Sequence, residues 1–102
     1  MSIKKHYLKS KPVCKVSFKV TPEMAEGASK VNLTGDFNNW NETSDEMNSL
    51  KDGSFSLTLD LETGREYQFR YLLDGSTWIN DEAADSSCPS GFGNSLNSVI
   101  SL

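Results

Sequence analysis

The sequence predicts an all-β protein folded as an antiparallel β-sandwich. Apolar and polar residues alternate with a period of two in several short segments, which is typical of strands that bury one face. Turn-forming residues separate these segments at regular spacing, as they do in sandwiches. A chain of 102 residues corresponds to one domain, and it can bury one modest core without a metal or disulfides.

The alternating segments indicate the order of the strands. They span residues 14–20, 31–34, 55–61 and 67–73, and a final strand is expected at residues 97–102. Turns rich in Gly, Asp, Ser and Thr occupy residues 51–54, 62–65 and 73–76. The expected strands are therefore short and antiparallel.

Helical signals are confined to residues 21–27. Thr21 can cap a helix, Pro22 suits its first position and Gly27 suits its end, so we expect one or two helical turns. Residues 81–94 are rich in Ser and Gly and show no alternation, which predicts a long irregular loop.

Charge is distributed unevenly along the chain. The net charge of −4 combines six lysines in the first nineteen residues with a remainder that holds four basic and 14 acidic residues. An acidic body is a poor platform for nucleic acid, which binds by phosphate neutralisation. We expect a basic arm at residues 1–12 and the sandwich at residues 13–102. The arm could contact an acidic partner, but a solvated tail and edge strand, whose lysines discourage aggregation, is favoured.

Several features favour a cytoplasmic protein without a membrane partner. No apolar run is long enough to cross a bilayer, and the basic N-terminus is not followed by the apolar segment of a secretory signal. Cys14 and Cys88 have no metal-binding or redox spacing, so two reduced thiols are expected. No cofactor or metal is predicted.

The sequence argues against an enzyme. The only histidine, His6, lies in the basic arm, which excludes a Ser-His-Asp triad within one chain and histidine-based zinc sites. Asp81, Glu82 and Asp85 lie together, but on a predicted surface loop. Glycoside hydrolysis needs two carboxylates about 5 to 10 Å apart across a cleft, which a small sandwich does not provide. The chain is predicted to be a binding protein.

Two tryptophans are expected in turns. Trp40 ends the segment GDFNNW, and Trp78 follows the turn at residues 73–76. If Phe69 and Tyr71 point inward, Arg70 points outward, because side chains alternate along a strand. Indole rings beside a guanidinium suit flat, hydroxyl-rich ligands, which are sugar rings. Candidate amide ligands are Asn38, Asn39, Asn94 and Asn97, of which the first two are more readily turn formers.

Each of these side chains has a structural alternative. Trp40 could plug the open end of the sandwich, and Trp78 could be a core residue. Arg70 could be a surface residue paired with Asp60 on a neighbouring strand.

Several segments resemble the isoamylase N-terminal, or early-set, domains of carbohydrate-binding module family 48. This family includes the glycogen-binding domain of the AMP-activated protein kinase beta subunit. Residues 31–40, VNLTGDFNNW, resemble its GDFNNW signature, and residues 67–75, YQFRYLLDG, resemble its strand and turn. Trp78 and residues 92–100 resemble its closing region. The match covers roughly residues 13–102.

The resemblance implies an immunoglobulin-like sandwich of seven to eight strands that binds α-1,4-glucan, such as glycogen, starch or maltooligosaccharide, without hydrolysing it. The family's binding residues fall on Trp40, Trp78, Arg70, Ser95 and Asn97, with Arg70 at a lysine position and Ser95 at a threonine position. The leucine that threads the sugar ring has no clear equivalent, and Phe92 or Leu96 is nearest.

The resemblance leaves a second possibility open. In branching and debranching enzymes such a module precedes a catalytic barrel and can serve only to pack on it. Because this chain ends at the last strand, we expect no barrel. A free-standing module could be a glucan adaptor, or a docking module for a glucan-metabolising enzyme or kinase-like complex without glucan affinity.

Overall fold

Two antiparallel sheets form the protein, as the computed structural model of residues 3–91 and 95–102 shows. This confirms the predicted all-β sandwich, with nine strands in the described residues. They are β1 (Ile3–Tyr7), β2 (Val13–Val20), β3 (Val31–Gly35), β4 (Asn48–Ser49), β5 (Phe55–Glu62), β6 (Glu66–Leu73), β7 (Thr77–Ile79), β8 (Ser86–Pro89) and β9 (Leu96–Ser101). A short helix, α1 (Pro22–Ala25), and a 3-10 turn (Asp36–Asn38) complete the elements.

The first sheet has the strand order β1-β2-β5-β4. In its register Val16 lies opposite Leu59, and Lys15 lies opposite Asp60. The alternation predicted for β2 is observed, because Val16 and Phe18 are fully buried whereas Lys15 and Lys19 are exposed. This sheet therefore turns one face to the core and a polar face outward.

The second sheet has the order β3-β6-β9-β8, with β7 paired to the end of β6. Tyr67, Phe69 and Tyr71 of β6 are buried in the core, as predicted. Gln68 and Arg70 consequently lie on the outer face of this sheet. That outer face carries the candidate site.

The aromatic core reaches the turn that precedes Trp40. Phe18 and Phe69 pack edge to face, with ring centroids 5.3 Å apart. Phe37, which lies in the 3-10 turn, packs on the same cluster, with its ring centroid 5.8 Å from that of Phe18. Aromatic pairs at these separations add stabilisation beyond simple burial. Phe37 therefore anchors the turn to the core.

Residues 1–12, predicted as a basic arm, include an edge strand of the first sheet. Strand β1 pairs with β2, and Ile3 is buried in the core. The Lys5 ammonium contacts the Asp85 carboxylate at 2.6 Å and donates to the Ser101 carbonyl at 3.1 Å, which links β1 to the second sheet. The boundary between residues 12 and 13 stays a prediction.

The helix agrees with its sequence signals, whereas the expected loop at residues 81–94 is partly wrong. The Thr21 hydroxyl caps α1 by accepting from the Met24 amide at 3.2 Å. Within the expected loop, β8 pairs with β9, and Cys88 lies opposite Asn97. The sequence of β8 does not alternate. We therefore attribute this strand to its pairing with β9. No helix in residues 3–91 and 95–102 is long and apolar enough to span a membrane.

Candidate functional site

A groove of about 640 Å³ lies on the outer face of the second sheet. It is lined by Trp40, Gln68, Arg70, Trp78, Ser90, Ser95 and Asn97. Five of the six predicted site residues are among these seven. The sixth, Phe92, lies outside the described residues, as does the candidate amide Asn94.

The turn before Trp40 is built by its asparagines. The Asn38 side chain accepts from the Gly35 amide at 3.0 Å and donates to the Leu33 carbonyl at 2.9 Å, so Asn38 is a turn former. Asn39 and Trp40 both have left-handed backbones, with φ of 56° and 58°. Such angles are uncommon for non-glycine residues and here reverse the chain so that Trp40 lies against the groove.

Gly35 permits the close approach of this turn to β6. A Cβ atom at this position would lie 2.5 Å from the backbone carbonyl oxygen of Gln68 and 2.7 Å from the Phe69 Cβ. Neither neighbour can move without shifting the backbone. The glycine of the GDFNNW segment is therefore required by space.

A hydrogen bond to Asp36 holds the Trp40 indole. Its Nε1 donates to Asp36 Oδ1 at 3.0 Å, and the second oxygen of Asp36 accepts from the Gln68 amide at 2.8 Å. One carboxylate thus joins the indole to the adjacent strand. Trp40 is partly buried.

Trp78 lies on strand β7 instead of the expected loop. It is opposite Leu72, and its side chain is 39% exposed, so it is not a core residue. Leu72 and Arg70 are two residues apart on β6 and share a sheet face. The register therefore brings Trp78 to the same face as Arg70.

Arg70 has a different partner from the one considered from the sequence. Its Nε donates to Asn97 Oδ1 at 2.6 Å. Asp60 lies in the first sheet and forms an ion pair with Lys15 at 3.6 Å, so the Arg70–Asp60 alternative is wrong. The Arg70 guanidinium is instead held by the neutral side-chain amide of Asn97.

Asn97 is only 6% exposed, and its Nδ2 donates to Gln68 Oε1 at 3.0 Å. Gln68 and Ser90 were not among the site residues expected from the sequence. Alternation along β6 puts Gln68 on the same outer face as Arg70, and this is the signal that could have identified it. The Ser90 and Ser95 hydroxyls are hydrogen-bonded to each other at 2.5 Å.

Asp81, one of the acids considered for catalysis, does not line the groove. Asp81 is buried and accepts from the Tyr71 hydroxyl at 2.7 Å, while its amide donates to the Ser98 hydroxyl at 2.9 Å. Burial, and then the neighbouring Asp81 carboxylate, raise the pKa of Tyr71 well above its usual value. The described residues that line the groove include no carboxylate, and no three potential metal ligands cluster in the described part of the chain.

Comparison with known proteins identifies the family of the chain. A family model described as the glycogen recognition site of AMP-activated protein kinase matches residues 19–101. No match is found among curated proteins. Domains of this kind are carbohydrate-binding modules, which bind glucan and are generally non-catalytic. The match confirms the resemblance noted from the sequence, and the chain belongs to the family of glycogen recognition modules of the AMP-activated protein kinase type.

Proposed function

We propose that the chain binds α-1,4-glucan by stacking glucose rings on Trp40 and Trp78 while Arg70 donates hydrogen bonds to hydroxyl oxygens. One observation carries this proposal: both indoles and the guanidinium line a single groove on one sheet face. Indole rings offer large, rigid surfaces to the apolar faces of sugars. The guanidinium offers a planar set of donors.

The spacing of the two tryptophans favours an oligosaccharide over a single sugar. Asp36 links Trp40 to Gln68, and Trp78 lies opposite Leu72. These two anchor points on β6 are four residues apart, about 13 Å along an extended strand. Arg70 lies midway between them. We therefore expect affinity to rise from maltose to longer maltooligosaccharides.

The test is intrinsic fluorescence during titration with maltoheptaose and β-cyclodextrin. Trp40 and Trp78 are the only tryptophans, so a change in emission reports on the site. We expect saturable changes with α-glucans and none with cellooligosaccharides.

Replacing one tryptophan tests the site residues themselves. Trp40→Ala should weaken maltoheptaose binding about 5- to 150-fold, by analogy with stacking energies of about 1 to 3 kcal/mol on nucleic-acid bases. Tyr7→Ala is the matched control, because Tyr7 is an exposed aromatic residue on the first sheet. Equal affinity of Trp40→Ala and the wild type would remove Trp40 from the site.

We also propose that binding is not followed by hydrolysis. The groove lining described above offers no pair of carboxylates to act as acid and nucleophile or base. Incubation with maltoheptaose should leave the oligosaccharide intact. Shorter products that disappear in an Asp81→Asn variant would instead indicate glycosidase activity.

A second candidate function is docking to a glucan-metabolising enzyme or kinase-like partner in the cytoplasm. Strand β1 favours it, because in the described structure β1 pairs on one side only and exposes Lys4, His6 and Tyr7. Free sheet edges can accept an additional strand. This hypothesis predicts a stable complex with such an enzyme that Lys4→Glu weakens, together with flat glucan titrations.

A further inference from the structure

We propose that Gln68 binds glucan directly, by donating from its Nε2 to a sugar hydroxyl beside the terminal nitrogens of Arg70. This inference rests on the proposed function, because it concerns the same groove. Gln68 lines the groove together with Arg70 and both tryptophans. The inference predicts that these side chains recognise hydroxyl oxygens of the sugar.

The direction of the hydrogen bonds follows from Arg70. A guanidinium has donors and no acceptor, so the Asn97 atom that lies 2.6 Å from Arg70 Nε must be the oxygen. The Asn97 nitrogen then points to Gln68, at 3.0 Å. The Gln68 atom that receives it must be Oε1, which leaves Nε2 as the other end of the amide. The orientations of both amides are thus determined by one cation.

The backbone of Gln68 is held as well. Its amide donates to Asp36 Oδ2 at 2.8 Å, while Asp36 Oδ1 accepts from the Trp40 indole at 3.0 Å. Gln68 therefore contacts both the turn that carries Trp40 and the Asn97 side chain that holds the Arg70 guanidinium. Side chains held in this way lose little entropy when a ligand binds.

Donor groups remain available in the groove. Within the described residues, neither Gln68 Nε2 nor the terminal nitrogens of Arg70 make a hydrogen bond, and no carboxylate lines the groove. A sugar hydroxyl that meets these groups must accept with its oxygen and direct its own hydrogen elsewhere. Recognition then depends on ligand oxygens that are free to accept.

The test uses two variants of Gln68. Gln68→Met keeps the length of the side chain but removes its hydrogen bonds. Gln68→Glu keeps an oxygen to accept from Asn97 and replaces the donor by an acceptor. Thr58→Glu is the control for added charge, because Thr58 is exposed on β5 of the opposite sheet. Thermal unfolding of each variant checks that the fold is retained.

The expected results are differences in affinity for maltoheptaose. Gln68→Met should weaken binding about three- to tenfold, as expected for one hydrogen bond. Gln68→Glu should weaken it by at least about tenfold, because an acceptor now faces ligand oxygens. Thr58→Glu should bind as the wild type does.

A second measurement separates direct contact from a structural effect. Monodeoxy derivatives of methyl α-maltotrioside each lack one hydroxyl oxygen. At least one derivative should bind the wild type more weakly than the parent sugar, yet bind Gln68→Met as well as the parent does. This is the signature of a direct pair in a double-mutant cycle.

The outcomes distinguish the inference from the proposed function. Absence of α-glucan binding by the wild type would refute the proposed function. Binding by the wild type with unchanged affinity in Gln68→Glu would refute the inference alone. An equal loss for the parent sugar and every deoxy derivative in Gln68→Met would also refute it, since Gln68 would then act only through the fold.

Discussion

Replacing Asp36 by asparagine tests the link between the Trp40 turn and strand β6. The two carboxylate oxygens accept from the Trp40 indole and the Gln68 amide, and both partners are donors that cannot accept. An asparagine amide has one oxygen and one NH₂ group of nearly the same shape. Whichever way it is turned, one donor faces another donor, so the variant must lose one hydrogen bond.

The magnitude follows from this count. One lost hydrogen bond is worth about 1 kcal/mol of unfolding free energy, and Asp36→Ala, which loses both, should cost about 2 kcal/mol. For a domain of about 100 residues, 1 kcal/mol corresponds to a decrease in Tm of about 4 to 8 °C. The loss should also loosen the indole and thereby weaken maltoheptaose binding.

The assay combines thermal unfolding with quenching by iodide. A Trp78→Phe background leaves Trp40 as the only tryptophan, so its emission reports the exposure of that indole. We expect Asp36→Asn to lower Tm and to increase quenching. A variant with unchanged Tm and unchanged quenching would refute the reasoning, since the carboxylate would then hold neither partner.

Three further predictions concern neighbouring positions. Asn97→Asp can no longer donate to Gln68, so the Gln68 amide should turn its oxygen to the groove and maltoheptaose binding should weaken in a calorimetric titration. Gly35→Ala places a Cβ 2.5 Å from the Gln68 carbonyl, and denaturant unfolding should show a loss of more than about 2 kcal/mol. Because the pKa of Tyr71 is raised by burial and then by Asp81, the folded state keeps a proton that the unfolded state releases above about pH 10. The unfolding free energy should therefore fall as pH rises above that value, and this fall should be shallower in Tyr71→Phe.

Much of the fold was predictable because alternation reports burial directly. The period-two pattern identified β2, β5 and β6 and the inward side of each, including the outward position of Arg70. Alternation does not say which strands are neighbours. The alternative in which Arg70 pairs with Asp60 is therefore wrong, because the two strands belong to different sheets.

The candidate site was also predictable in part. Trp40, Trp78 and Arg70 were selected by residue type and by resemblance, and all three line the groove. Alternation along β6 puts Gln68 on the same face as Arg70, but its hydrogen bonds and the linking role of Asp36 depend on three-dimensional contacts that residue order does not contain. Their use in glucan binding stays a prediction.

The anchoring of the turn by Phe37 has a consequence for the speed of recognition. Because Phe37 packs against Phe18 and Phe69, the turn that carries Trp40 is ordered by the same contacts that stabilise the core. No rearrangement of this turn is then required when a sugar arrives, and association should not be slowed by a conformational step. Differences in affinity among glucans should therefore arise in how slowly they leave.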